Sequence, residues 1–144
     1  MECIAGFGCN RAILPSFRCA MTTSTSPPKR PLILCIDDDD VALRVRKLLL
    51  GTAGYDVLTA SSGEVGLEIF RQNPVDLVLA DHFLSDKVGT EIAKEMKQMK
   101  PQVPILIVSG TAEEPSGLEF VDGFLPKSET PSVLLDALVR LLKD

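Results

Sequence analysis

The chain has no excess of positive charge: 15 Lys and Arg are set against 20 Asp and Glu, for a net charge of −5. No basic face therefore advertises nucleic-acid binding. It has no apolar run approaching the length of a membrane span. Histidine occurs once, at His82, and the four cysteines (Cys3, Cys9, Cys19 and Cys35) include no CxxC pair. This is a poor zinc site and a poor disulfide framework. Cys35 sits inside an apolar run and is expected to be a small buried hydrophobe. A reducing, cytoplasmic setting fits such thiols. The remaining composition, 45% hydrophobic and 24% charged over 144 residues, is that of one globular domain with a single core.

Residues 1–21 imitate a signal peptide only superficially, because no basic region precedes the apolar part and Arg11, Pro15 and Arg18 interrupt it. TTSTSPPKRP (22–31) is a Ser/Thr/Pro linker with no means of packing. Met21 opens that linker and is a candidate for the true translation start. The expected organisation is a disordered or loosely ordered extension and linker over 1–30, then one folded domain over 31–144.

That domain opens on LILCIDDDD (32–40), five apolar residues running into Asp37, Asp38, Asp39 and Asp40. The apolar half predicts a strand buried on both faces. Asp39 or Asp40 can cap the helix that follows, in which Val41, Val45, Leu48 and Leu49 recur at helical spacing. Gly54 ends it, and DVLTA (56–60) is a short strand. Ser61 and Glu64 have capping-box spacing and open a second helix through Phe70, ended by Asn73-Pro74. VDLVLA (75–80) is a buried strand that runs into Asp81. A helix follows over 90–99, with Ile92, Met96 and Met99 on one face. VPILIVS (103–109) ends at Ser109, and GFLP (123–126) delivers Lys127. Thr130 and Pro131 start a last helix lined by Leu134, Leu138 and Leu141. Alternating strands and helices with buried, parallel-type strands predict a doubly wound α/β sandwich.

In open α/β sheets the ligand crevice lies at the carboxyl ends of the strands. Polar residues stand at those ends here: Asp37 and Asp38, Asp81, Ser109 and Lys127. Two carboxylates about 4 Å apart repel by about 4 kcal/mol at an effective dielectric near 20, so converging acids need a cation. An all-oxygen acidic site with room for water suits Mg²⁺. The metal would offset the repulsion and then neutralise an incoming phosphoryl group. Lys127 can act as a point charge on a phosphoryl oxygen and Ser109 can donate to another. One carboxylate can be the nucleophile and form an acyl phosphate.

The motifs ILCIDDD, VDLVLADHFLSDKVG, PILIVSG and GFLPKS, with Gly89 eight residues after Asp81, resemble the receiver domain of two-component response regulators over about residues 31–144. The resemblance implies a flavodoxin-like five-stranded parallel sheet of order 2-1-3-4-5 with helices on both faces. It implies Asp81 as phosphoacceptor, Asp38 as direct and Asp37 as mainly water-mediated ligands of Mg²⁺, and the backbone carbonyl of Phe83 as a further ligand. Ser109 would be the switch hydroxyl, Lys127 the phosphate-binding lysine and Phe124 the aromatic that changes rotamer with them. Departures from the family pattern are Ser85 and Ser128 where proline is usual, an apolar Phe83, and a segment from Ser109 to Gly123 about one helical turn short. TAEEPSGLEF (111–120), broken by Pro115 and Gly117, is expected to be mobile for want of apolar anchors.

The implied function is a phosphorelay response regulator, a phosphoacceptor with self-catalysed transfer and slow acyl-phosphate hydrolysis and no independent enzymatic turnover. The implied partners are a histidine kinase or histidine phosphotransfer protein as donor and a protein target, with no nucleic acid and no membrane. The sequence ends with the last helix, so the chain is expected to be a stand-alone receiver or a fragment. Two alternatives stand beside this reading. A haloacid dehalogenase-type phosphatase would use Asp37 as nucleophile with Asp39, but would leave Asp81 idle and lack a later acidic pair. A pseudo-receiver would be a pure interaction module without phosphorylation.

Overall fold

A computed structural model describes residues 30–110 and 117–143. The elements are β1 (Leu32–Ile36), α1 (Asp40–Thr52), β2 (Asp56–Ala60), α2 (Gly63–Gln72), β3 (Leu77–Asp81), α3 (Gly89–Met99), β4 (Ile105–Ser109), a 3-10 turn (Leu118–Phe120), β5 (Gly123–Pro126) and α4 (Pro131–Leu142). The strands form one sheet of order β2-β1-β3-β4-β5, with every pairing parallel. This is the doubly wound order expected. The expectations for residues 1–29 and for Thr111–Ser116 fall outside the described residues.

Each strand is five residues or fewer, and the central three, β1, β3 and β4, are buried on both sides, which is why their sequences are nearly unbroken hydrophobe. Alternation along the strand divides the core in two. Leu34, Ile36, Val78 and Ile107 join Phe70, Ile92 and Met96 on the α2–α3 side. Ile33, Cys35, Leu79 and Val108 join Leu43, Leu50 and Leu138 on the α1–α4 side. Ile36 pairs with Ala60 and Ala80, Asp81 with Val108, and Ser109 with Pro126. This register brings the carboxyl ends of β1, β3, β4 and β5 level. The chain leaves β1 for β2 on one side and returns to β3 on the other, so the order reverses between β1 and β3. A crevice opens at that reversal.

At the opposite pole Arg30 donates to the carbonyls of Gly51, Gly54 and Tyr55, and so ties the entry to β1 onto the α1–β2 corner.

Three local expectations are corrected. Val41, Val45 and Leu48 are exposed, whereas α1 turns Leu43 and Leu50 inward with Arg46 between them. The residues keep their helical period, but the face turned inward includes Arg46, whose long stem covers apolar surface while its charged head reaches a carboxylate. The α2 cap is Ser62, whose hydroxyl accepts from the Val65 amide, and not Ser61. Phe120 packs against the core, as does Val121 just past it, so the described end of the 111–120 stretch carries an apolar anchor. Lys94 Nζ also lies 5.9 Å from the Phe120 ring centre.

The facing of α1 has a direct test in urea unfolding. Leu50→Ala empties a fully buried site and is expected to cost about 2–5 kcal/mol. Leu48→Glu, at a position 74% exposed, is expected to stay within about 0.5 kcal/mol of the parent. A comparable loss from Leu48→Glu would contradict the arrangement.

Candidate functional site

The site is assembled from strand ends, so the sheet itself sets its geometry. Asp37 follows β1 and is wholly buried. Its Oδ1 accepts from the Asp39 amide at 3.0 Å, and its Oδ2 accepts from Arg46 Nη1 at 3.1 Å and from Lys127 Nζ at 3.3 Å. Asp81 ends β3, also buried, and its Oδ2 accepts from the same Lys127 Nζ at 3.2 Å. Asp38 is exposed at the mouth. One carboxylate oxygen from each of Asp37, Asp38 and Asp81 fits within a mutual 4.8 Å.

Ser109 ends β4 and is buried; its carbonyl accepts from the Lys127 amide at 2.6 Å. That bond fixes the height at which Lys127 leaves β5. Phe124, on the edge strand β5, packs against the α2–α3 core. The structure thus gathers the two aspartates after β1, Asp81, Ser109 and Lys127 at one end of the sheet. Asp39 is elsewhere engaged: its Oδ1 accepts from the Val41 and Ala42 amides as the cap of α1.

The loop after β3 shapes the near wall. Phe83 is 56% exposed, its ring edge-on to His82 at 4.5 Å, and its backbone bridges to Val88. Gly89 donates to the His82 carbonyl at 2.6 Å, and a Cβ there would lie 2.7 Å from the Asp81 carbonyl. Only glycine lets α3 start this close to the end of β3. Asp86 reaches across the crevice to accept from the Gly63 and Glu64 amides at the start of α2. Those bonds, Gly63's first, hold its carboxyl below the usual range. Two contributors were missed in the sequence, Arg46 and Asp86. Each acts over a separation in sequence that no local pattern displays.

Burial raises the Asp81 carboxyl above its ordinary value, and the hydrogen bond and charge of Lys127 oppose this only in part. Burial also pulls Lys127 down, but Asp81 and Asp37 outweigh it and hold the ammonium above its ordinary value. Burial pushes the Cys35 thiol up to about 12, as expected of an inert core cysteine. Three carboxylates, two buried and one open to water, form an oxygen donor set that fits Mg²⁺ with part of its hydration retained.

The Asp81 shift fixes a sign. Its folded-state pKa lies above the unfolded one, so the ionised form disfavours folding, by an amount that grows as pH rises through the shifted range. Asp81→Asn is therefore expected to be more stable than the parent at pH 7 without divalent metal. The gain should disappear below about pH 3, where both forms are neutral at this position. Thermal unfolding across pH measures it, and a variant less stable than the parent at neutral pH would contradict the assignment of strain to Asp81.

Similarity to known proteins agrees with this geometry. The family model described as "Response regulator receiver domain" matches residues 33–139. The chain is 30% identical over 112 residues to the transcriptional regulatory protein GlrR of Escherichia coli, covering 78% of this chain and 25% of that protein. It is 34% identical over 103 residues to the alkaline phosphatase synthesis transcriptional regulatory protein PhoP of Bacillus subtilis, covering 69% and 43%. The chain thus spans less than half the length of these relatives. A CheY-like receiver domain from Methanospirillum hungatei superposes with a TM-score of 0.75 at 28% identity, covering 80% of this chain and 95% of that one. The response regulator TrrA of Thermotoga maritima, solved in complex with Mg²⁺ and BeF, superposes at 0.74 with 26% identity, covering 77% and 98%. The phosphatase alternative is thereby overturned. The match is to receivers, and the acids brought together among the described residues are Asp37, Asp38 and Asp81, without Asp39.

Proposed function

Because the chain belongs to the response regulator receiver domain family, we propose that it takes a phosphoryl group onto Asp81 from the phosphohistidine of a histidine kinase or histidine phosphotransfer protein. The observation that carries this reading is the single ammonium of Lys127 on Asp81 at 3.2 Å, with two further acids within 4.8 Å. Such a cluster is costly to keep unless a dication and an anion are meant to enter it.

Asp37, Asp38 and Asp81, with the backbone carbonyl of Phe83, would hold Mg²⁺, which when bound supplies charge neutralisation for the transferring group. Asp81 attacks phosphorus through a carboxylate oxygen, the phosphorus–nitrogen bond breaks, and its electron pair stays on the donor imidazole. Lys127 leaves its bond to the Asp81 carboxylate and places its charge on a phosphoryl oxygen. Ser109 supplies a hydroxyl to a second oxygen. That inward movement vacates space for Phe124, which changes rotamer and alters the surface made by β5, the 3-10 turn and α4. The phosphoryl group shifts this equilibrium only by the difference in its interactions with the two states. The protein acts as a signalling acceptor whose catalysis is confined to its own phosphorylation and slow dephosphorylation.

Among the described residues no helix is long and apolar enough to cross a membrane. We place the protein in the cytoplasm, where a kinase donor and a protein target are accessible, and assign it no nucleic-acid contact of its own. The complete set of Asp37, Asp38, Asp81, Ser109 and Lys127 at one end of the sheet argues against the pseudo-receiver alternative.

Incubation with Mg²⁺ and a small phosphodonor such as acetyl phosphate tests the assignment. Label is expected on the parent and on Asp39→Asn, and is expected to vanish in Asp81→Asn. Label that survives Asp81→Asn and disappears in Asp37→Asn would overturn it; no label on any form would favour the pseudo-receiver.

A further inference from the structure

Arg46 is a cation on the core-facing side of α1, its side chain only 12% exposed, between the inward residues Leu43 and Leu50. A guanidinium is not placed there for packing alone, since burying an unpaired charge is costly. Its Nη1 lies 3.1 Å from Asp37 Oδ2, the oxygen that also accepts from Lys127. With Oδ1 on the Asp39 amide, both oxygens of Asp37 are engaged before any metal arrives. We propose that Arg46 is a built-in competitor of the divalent cation, a positioning residue that holds Asp37 and weakens Mg²⁺ binding in the unphosphorylated protein.

The charges of the site show what this does. Three carboxylates against Lys127 and Arg46 leave one formal negative charge, where Lys127 alone would leave two. A dication is therefore attracted less strongly, and Arg46 is the part of the opposing charge that the phosphoryl group does not need to displace. A phosphoryl group carries about two negative charges, and its arrival on Asp81 brings acids, cations and metal to formal neutrality. Metal retention is thus tied to phosphorylation: weak in the resting protein, stronger once the anion is present.

This inference rests on the receiver reading of the site, and calorimetric titration with Mg²⁺ alone separates the two. Asp38→Ala is expected to abolish metal binding; if it binds as the parent does, the metal site itself is misassigned. With Asp38→Ala silent, Arg46→Met, which keeps the length and the apolar stem, is expected to bind Mg²⁺ at least about fivefold more tightly. Arg46→Lys is expected to stay near the parent because the charge remains, and Lys47→Met, an exposed neighbour, should change little. Unchanged affinity in Arg46→Met, or equal tightening in Arg46→Met and Arg46→Lys, would overturn the proposal. The parent protein offers a readout that needs no variant. The Arg46 Nε–H NMR resonance is expected to move along the Mg²⁺ binding isotherm, and a resonance indifferent to metal would overturn it as well.

Discussion

Lys127 donates at once to Asp37 at 3.3 Å and to Asp81 at 3.2 Å, and this bridge lets two buried carboxylates stand side by side at the end of a hydrophobic sheet. Without a shared cation their repulsion and desolvation would favour protonation or a local opening of the strand ends. The lysine is held for the task by its own backbone, through the 2.6 Å bond from its amide to the Ser109 carbonyl. Its side chain is 35% exposed, so solvent reaches the pair and the ammonium is free to change partner.

The remainder of the fold can be understood as the support this bridge requires. Five parallel strands, the central three of them buried, supply a rigid floor whose ends do not drift relative to one another. Gly89 allows α3 to begin against the Asp81 carbonyl, and Asp86 fastens the intervening loop to the start of α2. The loop is thereby pinned at both ends, which preorganises the backbone beside Asp81. Stability is given up locally for this: burial raises the Asp81 carboxyl above its ordinary value, and Lys127 offsets this only in part.

The legible parts of the sequence were those governed by local rules. Unbroken apolar runs gave the strands, and Thr130-Pro131 gave the start of α4. The strand-end residues could be grouped because topology alone sends them to one crevice. The failures have a common cause in long-range partners. The α1 stripe Val41, Val45 and Leu48 has a helical period, but Arg46 is drawn inward by Asp37 and turns the stripe to solvent. A cation spaced three residues from Leu43 and four from Leu50 shares their helical face, but nothing local pairs it with Asp37, nine residues earlier. Likewise Ser61 fits a capping box on spacing, yet the chain enters α2 one residue later, where Asp86 from another loop occupies the first amides.

The central proposal is that the acid cluster receives a metal ion and a phosphoryl group together, with Lys127 moving from the carboxylates to the phosphoryl group and not needed to hold the metal. Calorimetric titration of beryllofluoride, a phosphoryl mimic, into the protein and into Lys127→Ala, each with and without Mg²⁺, addresses it most directly. The account predicts binding of the mimic by the parent only when Mg²⁺ is present. In Lys127→Ala it predicts Mg²⁺ binding that persists while binding of the mimic is strongly weakened. Mimic binding that needs no metal, or loss of Mg²⁺ affinity in Lys127→Ala, would contradict it.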